Sequence, residues 1–71
     1  MDLFVGKNCI PCKNLKAYLK ENNIEVNQIV AEDNMDLAKE KGIRILPTLV
    51  LDDNSVIKGA DNIKEYFENK E

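Results

Sequence analysis

The two cysteines of the chain, Cys9 and Cys12, enclose Ile10-Pro11 at the point where one kind of sequence pattern gives way to another. Before them runs the short apolar stretch Leu3-Phe4-Val5, closed by Gly6. After them Cys12, Leu15 and Leu19 recur at i+3 and i+4 steps, which is helical spacing with one apolar face. The pair therefore sits where a strand hands over to a helix. Pro11 falls in the first helical turn, where its missing N–H costs little. A bridge across so short a loop braces a fold very little. A secreted mini-protein would need more bridges than this one. The chain holds no His, so two thiolates cannot complete a four-ligand zinc site within one copy, and His-based acid–base chemistry is excluded. Thiol chemistry is what the pair leaves open, with a soft metal as the other use of the same two sulfurs.

Size sets the second bound. A chain of 71 residues and 8.1 kDa is one domain, residues 1–71. Such a domain buries about 60% of the surface its unfolded chain exposes. That leaves no room for a large substrate cavity or a separate cofactor domain. The 44% apolar and 32% charged residues make an ordinary globular balance. A net charge of −3 argues against nucleic acid as a partner. The start Met1-Asp2-Leu3-Phe4-Val5 has no basic stretch ahead of a long apolar run, so no signal peptide is expected. The longest apolar runs, such as Leu49-Val50-Leu51, are far too short for a membrane span. The expected setting is the cytoplasm, where thiols stay reduced and a Cys pair is more often catalytic or metal-binding than structural. A monomer is expected.

Along the chain, the first strand is Leu3 to Val5 and the first helix runs from Cys9 to about Asn22. Ile24 to Ala31 alternates and predicts a strand, with Ile24, Val26 and Val30 on one side and Ile29 and Ala31 on the other. Asp33 or Asn34 is the expected cap of a short helix to about Lys41, with Leu37 and Ala38 inward and Gly42 as its stop. Thr48-Leu49-Val50-Leu51 is continuously apolar and predicts a strand covered on both faces. Asp52-Asp53-Asn54 predicts a hairpin turn, Ser55 to Lys58 the return strand. Gly59 breaks that strand, and Asp61 is the expected cap of a last helix with the stripe Ile63, Tyr66 and Phe67. The order β-α-β-α-β-β-α places the chain in the α/β class. Its first half is a parallel βαβ unit. The whole predicts a four-stranded mixed sheet with three helices on its two faces.

The chemistry follows from position. Cys9 at or just before a helix N-terminus faces unpaired N–H groups and the positive end of the helix dipole. Both stabilise a thiolate, so its pKa is expected to fall from about 8.5 toward about 7 or below. Lys7 and Lys13 act in the same direction. Cys12, on the face of Leu15 and Leu19, is expected to be buried and less ionised. An exposed acidic thiol beside a shielded one makes a nucleophile and a resolving thiol. Residues 6 to 20 hold Lys7, Lys13, Lys16 and Lys20 and no acid, a face that would steer an acidic partner surface. Ile10, Ile45 and Leu46 are candidates for an apolar rim around Cys9.

The sequence resembles the thioredoxin–glutaredoxin superfamily over nearly its whole length. Three pieces carry the resemblance: Cys9-Ile10-Pro11-Cys12 after the first strand, Gly42-Ile43-Arg44-Ile45-Leu46-Pro47-Thr48-Leu49, and Gly59-Ala60-Asp61 before the last helix. The resemblance implies a minimal thioredoxin (glutaredoxin-like) fold and thiol–disulfide exchange with Cys9 as nucleophile and Cys12 as resolving thiol. It also implies a cis peptide before Pro47, facing the dithiol. The Leu46 backbone would then pair with an extended substrate strand. By resemblance, the site residues besides the cysteines are Lys7, Ile10, Pro11, Leu46, Pro47, Thr48 and Asp61. The short length looks like glutaredoxins and the small redoxins that serve ribonucleotide reductase. Pro11 and the run from Gly42 to Leu49 look like thioredoxin. Asn8 stands where thioredoxin has Trp, and Pro11 where glutaredoxins have Tyr or Phe. Protein disulfides are the expected substrates, with thioredoxin reductase or glutathione as reductant. Glutathione would use the backbone around Pro47 together with Asp61 and Lys7. The exchange needs no dissociable cofactor. No buried acid beside the dithiol is evident from the sequence. A soft-metal or iron–sulfur module using the same cysteines is the alternative. The helical segment Met35–Lys41 and the C-terminal helix set the chain apart from copper-chaperone-like domains.

Overall fold

A computed structural model describes residues 1–69. β1 (Asp2–Val5) leads into α1 (Ile10–Glu21), and β2 (Asn27–Val30) follows. A short 3-10 turn (Ala31–Asp33) precedes α2 (Met35–Glu40). The chain closes with β3 (Thr48–Val50), β4 (Val56–Lys58) and α3 (Ala60–Asn69). The strands form one mixed sheet in the order β2-β1-β3-β4. β1 and β2 are parallel, with Val5 opposite Val30, while β3 is antiparallel to both β1 and β4. This is the expected four-stranded α/β architecture.

Alternation along the strands divides the core between the faces of the sheet. Leu3, Val5 and Leu49 pack with Cys12, Leu15 and Leu19 of α1 and with Ile63 of α3. Phe4 and Val50 pack on the opposite side with Ala38 of α2. The expected division of the second strand holds: Val26 and Val30 join the first cluster, Ile29 and Ala31 the second.

The second strand is shorter than its alternation predicts, and helix termination explains why. Asn23 takes φ 54, and its N–H donates to the Lys20 carbonyl while the Ile24 N–H donates to that of Leu19. This left-handed cap satisfies the last carbonyls of α1 and spends Asn23 and Ile24 on the helix end. The same device closes α2, with Gly42 at φ 70 and the Ile43 N–H on the Ala38 carbonyl. Asn34 is the cap residue of α2 as expected, though without a side-chain bond to the helix, while the cap expected at Asp61 needs correction. The Asn34 amide donates backward to the Val30 carbonyl. Asp61 lies inside the first turn of α3, which begins at Ala60, so it is not the cap residue. Gly59, at φ 88, starts that turn, its carbonyl accepting from the Ile63 N–H.

Candidate active site

The parallel pair β1–β2 ends on the side of the molecule where α1 begins. Cys9 is the N-cap of α1, with extended backbone, and Pro11 occupies the first turn. No acid lies in that turn, so the helix terminus has no competing anion of its own. The Cys9 Sγ accepts the Cys12 N–H at 3.2 Å. Sulfur thus takes the place that a Ser or Asp oxygen fills in an ordinary cap. A thiolate at this position would receive the same N–H and the field of the helix.

Cys9 and Cys12 are disulfide-bonded, with their Cα atoms 5.1 Å apart. Their surroundings differ. Cys12 is 1% exposed within the α1–α3 core, whereas Cys9 is partly exposed at its edge. Access to an incoming sulfur is therefore through Cys9. Ile10, the next residue, projects into solvent at 71% exposure.

Facing the dithiol is the segment before β3. The Leu46–Pro47 peptide bond is cis. Pro47 is fully buried, and its carbonyl accepts the Gly59 N–H at 2.9 Å, which ties this segment to the start of α3. The Thr48 side chain turns inward, its hydroxyl donating to the Ile45 carbonyl, and the residue is buried in β3 between β1 and β4, so the structure does not bring the expected site residue Thr48 to the groove. An open groove of about 510 Å³ runs between Ile10-Pro11, Leu46-Pro47 and Asp61. The structure thus brings Ile10, Pro11, Leu46, Pro47 and Asp61 to one groove beside Cys9. Lys7 lies elsewhere: its ammonium pairs with Asp33 at 3.0 Å, on the side of the loop facing the 3-10 turn. Ile45 is 50% exposed, a surface residue and not part of the core.

One residue beside the site escaped the sequence reading. The Glu32 carboxylate accepts the Lys7 backbone N–H, at 3.1 Å to Oε2 and 3.3 Å to Oε1. Gly6 is where these parts meet. A Cβ there would lie 3.1 Å from Leu46 Cδ1, 3.3 Å from Cys9 Cβ and 3.6 Å from Glu32 Oε1. A Cβ would crowd Leu46 and Cys9, which would have to give by a few tenths of an ångström, whereas the Glu32 oxygen would stand at ordinary contact distance. The sequence signal was the acidic pair Glu32-Asp33 just after a strand parallel to the one that delivers Cys9.

Among the described residues, no group of three or more Cys, Asp or Glu side chains could hold a metal ion. None of the described helices is long and apolar enough to cross a membrane.

Residues 2–69 match the family model for the thioredoxin domain. The chain belongs to the thioredoxin family. It is similar to the protein named thioredoxin F2, chloroplastic, of Arabidopsis thaliana, at 38% identity over 63 residues. That alignment covers 79% of this chain and 34% of the plant protein, so the chain spans about a third of the curated relative it matches. No solved structure matches significantly. Membership of this family and the Cys9–Cys12 pair together support thiol–disulfide exchange chemistry.

Proposed function

We propose that the protein is a dithiol donor that reduces disulfides in other proteins. The Cys9 thiolate attacks one sulfur of a substrate disulfide. That S–S bond breaks, a Cys9–substrate disulfide forms, and the second substrate sulfur leaves as a thiolate that takes up a proton. Cys12 then loses its proton and attacks the Cys9 sulfur, expelling the first substrate thiolate. Two electrons have passed to the substrate, and the Cys9–Cys12 disulfide remains.

The observation that carries this reading is the asymmetry of the pair. Cys9 caps a helix at the edge of an open groove, and Cys12 is buried behind it. An extended substrate segment would lie along Leu46, with its side chains against Ile10 and Pro11. The lysines Lys13, Lys16 and Lys20 on α1, in no ion pair among the described residues, supply the charge that draws in an acidic substrate surface. A ribonucleotide reductase is among the acceptors this reading admits, by resemblance alone. The reading places the protein in a reducing compartment such as the cytoplasm.

Recycling fits a thioredoxin reductase better than glutathione. Of the residues assigned to glutathione by resemblance, Lys7 points away from the groove toward Asp33, leaving Asp61 as the charged contact. The test is reduction of the oxidised protein, followed by NADPH consumption, with a thioredoxin reductase and separately with glutathione plus its reductase. Faster turnover with the first is expected. Turnover with glutathione alone would assign Asp61 and the Leu46–Pro47 backbone to a glutathione site instead.

A further inference from the structure

We propose that Glu32 is a positioning residue for Cys9, clamping the loop that presents the nucleophile and, by its charge, destabilising the Cys9 thiolate so that the dithiol stays strongly reducing. The proposal rests on the reading of Cys9 as the attacking thiol.

The geometry is local. Both carboxylate oxygens of Glu32 lie within hydrogen-bonding distance of the Lys7 N–H, two residues before Cys9. The same carboxylate and the Cys9 Cβ border one spot beside Gly6, at 3.6 and 3.3 Å from where a Cβ would stand. Gly6 itself is buried, while Lys7 and Glu32 are exposed, so the carboxylate clamps the loop from its solvent side. The charged groups on the surrounding elements can be named. Lys7 is on the loop, but its ammonium is held by Asp33. Lys13 lies one turn into α1, where its N–H bonds the Cys9 carbonyl at 3.1 Å. Asp61 and Lys64 lie together across the groove. Asp33 is tied to the Lys7 side chain, whereas Glu32 is the carboxylate fastened to the backbone of the Cys9 loop.

Its sign opposes that of the helix. The helix N-terminus and Lys13 favour the thiolate, and a carboxylate disfavours it. A couple whose reduced form is strongly stabilised is an oxidant, because the thiolate resists giving its electrons back. A helix-capping thiol with no restraining anion drifts that way. Glu32 supplies the restraint from a neighbouring turn, at a site where Leu3 and Val5 of the presenting strand are apolar and buried.

The test is Glu32→Gln, which keeps a carbonyl oxygen for the Lys7 N–H and removes the charge. Glu32 is exposed, so the change does not threaten folding. Cys9 ionisation is followed by thiolate absorbance against pH in a Cys12→Ser background, where one thiol titrates. The reduction potential is measured in the protein with both cysteines. The Cys9 acid constant is expected to rise about threefold, the effect of a unit charge several ångströms away in a water-like medium. The potential should become less negative, and both changes should shrink in high salt. An acid constant and potential equal to wild type, or a shift in the opposite direction, overturns the proposal. Failure of the wild-type protein to reduce insulin disulfides would instead overturn the donor reading, because the titration of Cys9 needs no turnover.

Discussion

The two faces of the sheet are packed unequally. On the α1–α3 face the buried cluster takes in Leu3, Val5, Cys12, Leu15, Leu19, Leu49 and Ile63. On the α2 face it is Phe4, Ala38 and Val50, and Met35 of α2 stands 58% exposed. α1 is a 12-residue helix with a cap at each end, whereas α2 has six residues and no side-chain cap bond. The resolving thiol belongs to the well-packed face. The difference teaches where rigidity is needed. Cys12 must stay within reach of Cys9 through two exchange steps, so it is anchored in the larger core. The residues that meet a partner, Ile10, Pro11 and Asp61, stand at the exposed rim of that same α1–α3 side.

Substitutions that separate chemistry from packing test this contrast most strongly. Cys9→Ser should reduce insulin disulfide reduction to the uncatalysed level with the melting temperature little changed, because Cys9 lies at the rim of the cluster. A large loss of stability would mean that Cys9 is a packing residue first. Leu15→Ala, in the centre of the α1–α3 face, should cost about 2–5 kcal/mol in urea unfolding. Leu37→Ala on half-buried α2 should cost about 1 kcal/mol. Equal costs would erase the distinction between the faces. The smallest effect is expected far from both. The Ser55 N–H beside Asp53 holds its carboxyl below the usual carboxylate range. A lowered native pKa adds stability above the unfolded value and loses it as pH falls through the native one. The difference in melting temperature between wild type and Asp53→Ala should therefore be small at neutral pH and vanish in acid. A difference that persists in acid would assign the effect to something other than the charge.

Much of this was legible in the sequence, because the strong signals are local. The 3.6-residue spacing of Cys12, Leu15 and Leu19 located α1, Gly42 marked the end of α2, and the apolar run from Thr48 located β3. What the sequence hid were choices between two local uses of one residue. Asn23 ends a helix in a left-handed conformation, which a polar residue before an alternating run does not announce. Asp61 has the chemistry of a cap, but Gly59 at φ 88 starts the helix two residues earlier than a cap at Asp61 requires. The groove was legible only in part. Ile10, Pro11, Leu46 and Pro47 were placed by resemblance, whereas Glu32 reaches Lys7 across 25 residues of sequence. A contact of that range depends on the parallel pairing of β1 and β2, which brings two carboxyl ends of strands to one edge.

The asymmetry of the two thiols is the centre of the account, and it can be read directly. The reduced protein is treated with a limiting amount of iodoacetamide at neutral pH, and the labelled cysteine is identified by mass spectrometry. Label predominantly on Cys9, with Cys12 protected until the protein unfolds, is the predicted result. Equal labelling, or label first on Cys12, would contradict the assignment of nucleophile and resolving thiol.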